Sequence, residues 1–147
     1  MILLPYDGSA DAQAAIDSAA RLAPGADATV LTVWVAFELQ LDAKSRDAAL
    51  ATVAEGAQRA TAAGLVCTPR VAALDGDVAS TILAVAADLD ADVIAMGTRG
   101  LGAIKAFMLG SVSHAVVQDA DRSVLVVPSP AVVARRRHQP DRAVASM

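Results

Sequence analysis

Short apolar runs alternate along this chain with longer stretches in which apolar residues recur every three or four positions. The first run, residues 1–6, stops at Asp7-Gly8-Ser9 and reads as a buried strand ending in a turn. From Ser9 to Ala23 the spacing becomes helical, with Ala12, Ile16, Ala19 and Ala23 on one face. Ser9 suits the cap of that helix and Asp11 its first turn, and Pro24-Gly25 ends it. Thr29 to Val35 is rich in β-branched residues and predicts a second strand, followed by a loop over 36–43. Lys44 to Ala63 predicts a long helix with Leu50, Val53, Ala54 and Ala57 facing the core and Gly64 as its stop. Leu65 to Ala73 is a third strand, and Pro69 within it favours a sheet edge. Asp75-Gly76-Asp77 then turns the chain into a helix over Val78–Leu89, with Val78, Ile82, Val85 and Leu89 inward. Asp92 to Met96 is a fourth strand. A glycine-rich segment, 97–110, leads to a short helix starting near Ser111, and Val124 to Val127 is the last strand before Pro128.

This alternation predicts an α/β fold: one doubly wound, Rossmann-like, five-stranded parallel sheet with right-handed crossovers and helices on both faces. Such sheets bind ligands beyond the carboxyl ends of their strands, at the switch point. Asp7 and the segment 97–111 both follow strand ends. They are therefore the first places to look for function. The domain is expected to span 1–128. Residues 129–147, with Arg135-Arg136-Arg137-His138 followed by Gln139-Pro140, are expected to form a disordered basic tail, either solvated or making a small anionic contact.

Composition narrows the reading. A chain of 147 residues suits one domain and buries roughly 68–70% of its unfolded surface, so it needs no metal or disulfide staple. Its residues are 55% hydrophobic but only 3% aromatic, which suits close packing of helices on a sheet covered on both sides. A net charge of −4 and a pI near 4.9, with no basic face in the main body, argue against nucleic acid as a partner. The single cysteine, Cys67, cannot form an internal disulfide and reads as a small buried hydrophobe in a reducing compartment. The opening residues lack a basic segment, and no apolar run reaches the ~18–20 residues of a membrane span. The expectation is a cytoplasmic protein with no membrane partner.

The chemistry concentrates in Gly97-Thr98-Arg99-Gly100, nine further residues, then Gly110-Ser111. Glycines permit positive φ and let a phosphate approach without meeting a Cβ. A helix opening at Gly110-Ser111 offers unpaired N–H groups and a dipole that favours an anion, and Ser111 and Ser113 are candidate hydroxyl donors. Two spaced glycines alone are also compatible with plain turn and cap positions. Arg99 and Lys105 either neutralise phosphates or are solvated loop charges. Asp7 either holds Mg²⁺ or Mn²⁺ through water or serves as a hydrogen-bonded turn carboxylate. His114 reads as a surface histidine and Trp34 as a core or interface residue.

Asp7-Gly8-Ser9 after the first strand, together with the full spacing from Gly97 to Ser111, resembles the universal stress protein family over residues 1–128. Met96-Gly97-Thr98-Arg99-Gly100 and Leu109-Gly110-Ser111-Val112-Ser113 are especially similar, and the long spacing is that of the family's ATP-binding branch. The resemblance implies that Gly97, Arg99, Gly100, Gly110, Ser111 and Val112 surround ribose and phosphates, with Thr98 and Ser113 counted in the same nucleotide site. It places Asp7 and Pro5 at the same mouth, the Val33 backbone on adenine, and Met96 against the base. It also implies ATP with Mg²⁺ or Mn²⁺ as ligands and a homodimer paired through strand 124–127. Two departures stand out. Thr32 replaces a histidine common in relatives, and Ala106 replaces a basic residue that often follows the lysine matching Lys105.

Three functions follow for comparison. The first is an ATP-binding stress or signalling protein whose occupancy alters conformation or partner binding, with at most slow hydrolysis or autophosphorylation. The second is a homodimeric scaffold that binds no nucleotide. The third, an adenine-nucleotide α-hydrolase, normally carries its glycine-rich loop after the first strand, where this chain has only Asp7-Gly8-Ser9.

Overall fold

The computed structural model describes residues 1–34, 43–98 and 109–138, without the side chains of 43 and 44. In chain order the elements are β1 (Ile2–Pro5), α1 (Ala10–Leu22), β2 (Asp27–Trp34), α2 (Ala43–Ala62), β3 (Val66–Ala73), α3 (Val78–Asp88), β4 (Val93–Gly97), α4 (Ser111–Asp119), β5 (Ser123–Val127) and α5 (Pro130–His138). The strands form one five-stranded sheet in the order β3-β2-β1-β4-β5, and every pairing is parallel. The chain winds outward from β1 to β3, then returns to the other side of β1. The switch point therefore lies between β1 and β4. As Pro69 suggests, β3 is an edge strand. Among the described residues no helix is long and apolar enough to cross a membrane.

Alternation within each strand divides the core in two. Leu4, Tyr6, Val30 and Ala95 face α1 and α2, where Ile16, Ala19, Val53 and Ala60 meet them. Leu3, Leu31, Ile94 and Met96 face α3 and α4, against Ile82, Val85 and Val116. Leu3, Leu4, Ile16, Leu31, Ile82 and Ile94 are fully buried, each contributing roughly 1.5–3 kcal/mol of apolar burial.

Two readings of the sequence are corrected. The first concerns the inward face of α2, which is Ala49, Val53, Gly56 and Ala60. Leu50 is 44% exposed and Ala54 is also exposed. The cause is Gly56, where a Cβ would stand 2.6 Å from Tyr6 Cδ1 and 2.9 Å from Val30 Cγ1. The helix lies close to the sheet on small residues, so its largest apolar side chain is not its inward marker. The second concerns the segment after Pro128, which is helical over Pro130–His138. Ser129 is buried, and its Oγ accepts the Val132 N–H at 3.3 Å. Pro130 occupies the first helical position, where its missing N–H costs nothing, and the helix packs against α1. Residues 139–147, Val35 and most of the loop expected over 36–43 lie outside the described residues, while Ala43 opens α2.

Candidate functional site

Two strand ends flank the switch point, and each is tied down differently. Where β1 stops, the Tyr6 N–H donates to the Leu31 carbonyl at 2.8 Å, and the Thr32 hydroxyl donates to the Tyr6 carbonyl at 2.9 Å. The chain then turns through Gly8, whose φ of +84° favours glycine. Asp7 Oδ1 accepts the Ser9 N–H at 3.0 Å, and Ser9 Oγ accepts the Ala12 N–H at 3.1 Å to cap α1.

Across the switch point β4 ends at Gly97. The Thr98 N–H donates to the Val127 carbonyl at 3.2 Å, and the Gly110 N–H donates to the Thr98 carbonyl at 2.6 Å. Ser113 Oγ donates to the Gly97 carbonyl at 2.7 Å, so the first turn of α4 is anchored on the end of β4. Gly110 is the cap residue of α4, and no side chain caps that terminus. Its N–H groups keep the anion preference of an open helix start.

Between these ends lies a cleft of about 430 Å³. Leu31, Val33, Met96, Val78 and Ile82 make one part of it apolar, while Asp7, Ser9, Gly110 and Ser111 make the other polar. Asp7 is the one charged side chain among its described lining residues. Beneath the β1 end, the Tyr6 hydroxyl donates to Glu55 Oε1 at 2.6 Å. Burial, and next the bond to that carboxylate, push the Tyr6 phenol above its ordinary value, which keeps it protonated.

Nine residues singled out from the sequence meet here: Pro5, Asp7, Val33, Met96, Gly97, Gly110, Ser111, Val112 and Ser113. Thr98 does not line the cleft. Its carbonyl holds Gly110, and its hydroxyl donates to Asp11 Oδ2 at 3.4 Å. Arg99, Gly100, Lys105 and Ala106 lie outside the described residues. Three readings change. A Cβ on Gly97 would stand 2.7 Å from both Cβ and O of Asp11, so glycine there first serves the close crossing of α1 over β4. Ser113 is buried and commits its proton to Gly97, so its hydroxyl is not a spare phosphate donor. Gly110 has φ −60°, a value open to any residue, so no positive φ requires glycine at that position.

The sequence reading missed the α3 wall. The helical spacing gives Val78 and Ile82 a core role alone, and the strand pattern does not single out Leu31. Leu31 stands two residues before Val33 and so shares its face of the strand, a signal that was present. Trp34 is half-buried, and its Nε1 donates to Ser45 Oγ at 2.9 Å, joining the end of β2 to α2. Burial raises the Cys67 thiol pKa on the edge strand, which agrees with an inert, partly buried side chain.

Comparison with known proteins places this architecture. The chain is 41% identical over 132 residues to a universal stress protein of Thermus aquaticus, "in QAH/OAS sulfhydrylase 3'region", covering 86% of this chain and 96% of that one. It is similar to the solved structure of hypothetical protein MJ0577, with a TM-score of 0.75, 25% identity, and coverage of 86% of this chain and 94% of that one. The fold is also that of a universal stress protein from Archaeoglobus fulgidus solved in complex with dAMP, with a TM-score of 0.68, 20% identity, and coverage of 85% and 94%. The family model for the universal stress protein family matches residues 1–128, and the chain belongs to that family.

Proposed function

We propose that the protein binds ATP in the cleft between β1 and β4, and that occupancy alters its conformation or its binding of a partner. The observation that carries this reading is the cleft's division into an apolar slot and a polar end onto which α1 and α4 open. Adenine suits a slot walled by Leu31, Val33, Met96 and Ile82, with the Val33 backbone at its edge. Phosphates suit the helix starts at Ser9 and Ser111, with Thr98 holding Gly110 in place, and the family resemblance adds Arg99 and Gly100 to that set. The dAMP complex of the Archaeoglobus fulgidus relative supports a nucleotide ligand.

The Asp7 carboxylate, the charged group among the described lining residues, is exposed at the polar end. That donor set fits Mg²⁺ or Mn²⁺ shared with phosphate oxygens, since such ions keep most of their water and need few protein ligands. Rapid phosphoryl transfer needs a positioned base and strong charge stabilisation, and the described lining offers only Asp7 as a charged group. Hydrolysis or self-phosphorylation is accordingly slow in this reading. The protein acts in the cytoplasm as a homodimer, joined through the uncharged edge strand β5.

The second reading, a scaffold without nucleotide, is favoured by Gly97 and Ser113, which the fold itself explains. Calorimetry with ATP and Mg²⁺ separates the two. Gly110→Val places a branched side chain at the mouth without backbone strain. It is expected to weaken binding by a few kcal/mol, with tenfold in affinity for each ~1.4 kcal/mol. A folded Gly110→Val variant that binds ATP as tightly as the parent would transfer the case to the scaffold. Nucleotide co-purifying with the protein, read by mass spectrometry, supports binding independently.

A further inference from the structure

The register of β1 on β2 ends with Pro5 opposite Leu31. One residue further the Tyr6 N–H still reaches the Leu31 carbonyl. The Tyr6 carbonyl then takes its donor from a side chain, the buried Thr32 hydroxyl at 2.9 Å. This carbonyl is part of the planar peptide unit that runs on to the Asp7 Cα. Holding it therefore fixes the plane from which Asp7 departs.

The rest of the turn is already constrained. Gly8 is left-handed, Asp7 Oδ1 holds the Ser9 N–H, and Ser9 caps α1. Upstream, the Tyr6 ring is pinned by Glu55 and pressed toward Gly56. The Tyr6 carbonyl bond is the link between the two. We propose that Thr32 is a positioning residue for Asp7: its hydroxyl fixes where the chain leaves β1, and so where the carboxylate stands at the mouth of the cleft. Thr32 lines the cleft itself, but its proton points to the backbone rather than to a ligand. Its action on a nucleotide runs through Asp7, and that part of the inference rests on the proposed ATP site.

The test uses the full chain with Thr32→Val, which keeps the shape and removes the hydroxyl, and Thr32→Ser, which restores it. Amide exchange by NMR without ligand should accelerate at Gly8 and Ser9 in Thr32→Val, return to the parent rate in Thr32→Ser, and stay unchanged in β3. Calorimetry with ATP and Mg²⁺ should show roughly tenfold weaker binding for Thr32→Val and little change for Thr32→Ser. The Asp7→Ala, Thr32→Val double variant should bind no more weakly than Asp7→Ala alone. Losses that simply add, or unchanged exchange at Gly8 and Ser9, would overturn the proposal. If Thr32→Val does not fold, the Thr32→Ser and Thr32→Ala pair carries the same comparison. If the parent takes up no ATP while Thr32→Val still loosens Gly8 and Ser9, the ATP reading falls and the positioning role stands.

Discussion

The two faces of the sheet are built from the same strands but to different ends. On the α1 and α2 face, small residues bring helices close: Gly56 meets Tyr6 and Val30, and Gly97 lies under Asp11. On the α3 and α4 face, larger residues such as Leu31, Ile82, Ile94 and Met96 fill the middle, and the layer opens at the strand ends into the cleft. Neighbouring residues of β2 divide the work. Val30 faces α2, Thr32 ties the strand end to Tyr6 and reaches the rim of the cavity, and Leu31 and Val33 form its wall. The lesson is that tight packing on one side lets the other side remain concave. The first face tolerates no added volume, and the second tolerates loss of volume only in part.

The largest expected effect is on the tight face. Gly56→Val adds atoms where even a Cβ would be under 3 Å from Tyr6 and Val30. Overpacking of this kind costs about 3 kcal/mol, well above any gain in helix propensity. Thermal unfolding should show a drop of many degrees, and an unchanged midpoint would mean that α2 stands off the sheet.

On the open face, Ile82→Ala removes a side chain that is 2% exposed and lines the cleft. A loss of about 2 kcal/mol is expected, at the low end for such truncations because one side of the site is already open. Denaturant titration measures it, and a loss as large as that of Gly56→Val would erase the proposed asymmetry.

A smaller effect concerns how α3 is held. Arg122 Nη1 donates to the Ala86 and Ala91 carbonyls at 2.9 and 2.8 Å, closing the end of that helix. Arg122→Met should cost about 1–2 kcal/mol through the lost charged hydrogen bonds. Amide exchange should rise at the end of α3 and not in α2. Equal rises in both helices would show that the faces are not independent.

The smallest effect is on pH. Backbone and side-chain hydrogen bonds from Ser80 hold the Asp77 carboxyl, the cap of α3, below its ordinary value of 3.8. Its contribution is complete above that value and is lost as pH falls through the lowered folded pKa. Asp77→Asn should flatten a slight acid-side slope in the stability profile of α3. A slope that survives the substitution belongs to another carboxylate.

Much of this architecture was legible in the sequence because strands and helices write different periods. The run of Leu3 and Leu4, the β-branched residues of β2 and the proline of β3 located three strands and one edge. The glycine spacing located the cleft. Small residues carried less signal. Gly56 contributes nothing to an apolar pattern yet sets the face of α2, and alanines on every side of that helix blur its phase. Ser113 read as a ligand donor because a hydroxyl at a helix start suits both roles, and only tertiary geometry shows it turned to Gly97. The helix after β5 was missed because a run of arginines outweighed the Ser129-Pro130 start in front of it.

The hydrogen bond from Gly110 to Thr98 has an evolutionary consequence. That bond closes a stretch of chain whose two ends, Thr98 and Gly110, lie twelve positions apart in sequence. For such a closed segment, doubling the length adds only about 0.6 kcal/mol of closure entropy. The closure itself therefore sets little constraint on how many residues separate the two ends, and the five-stranded frame can be inherited while that number changes.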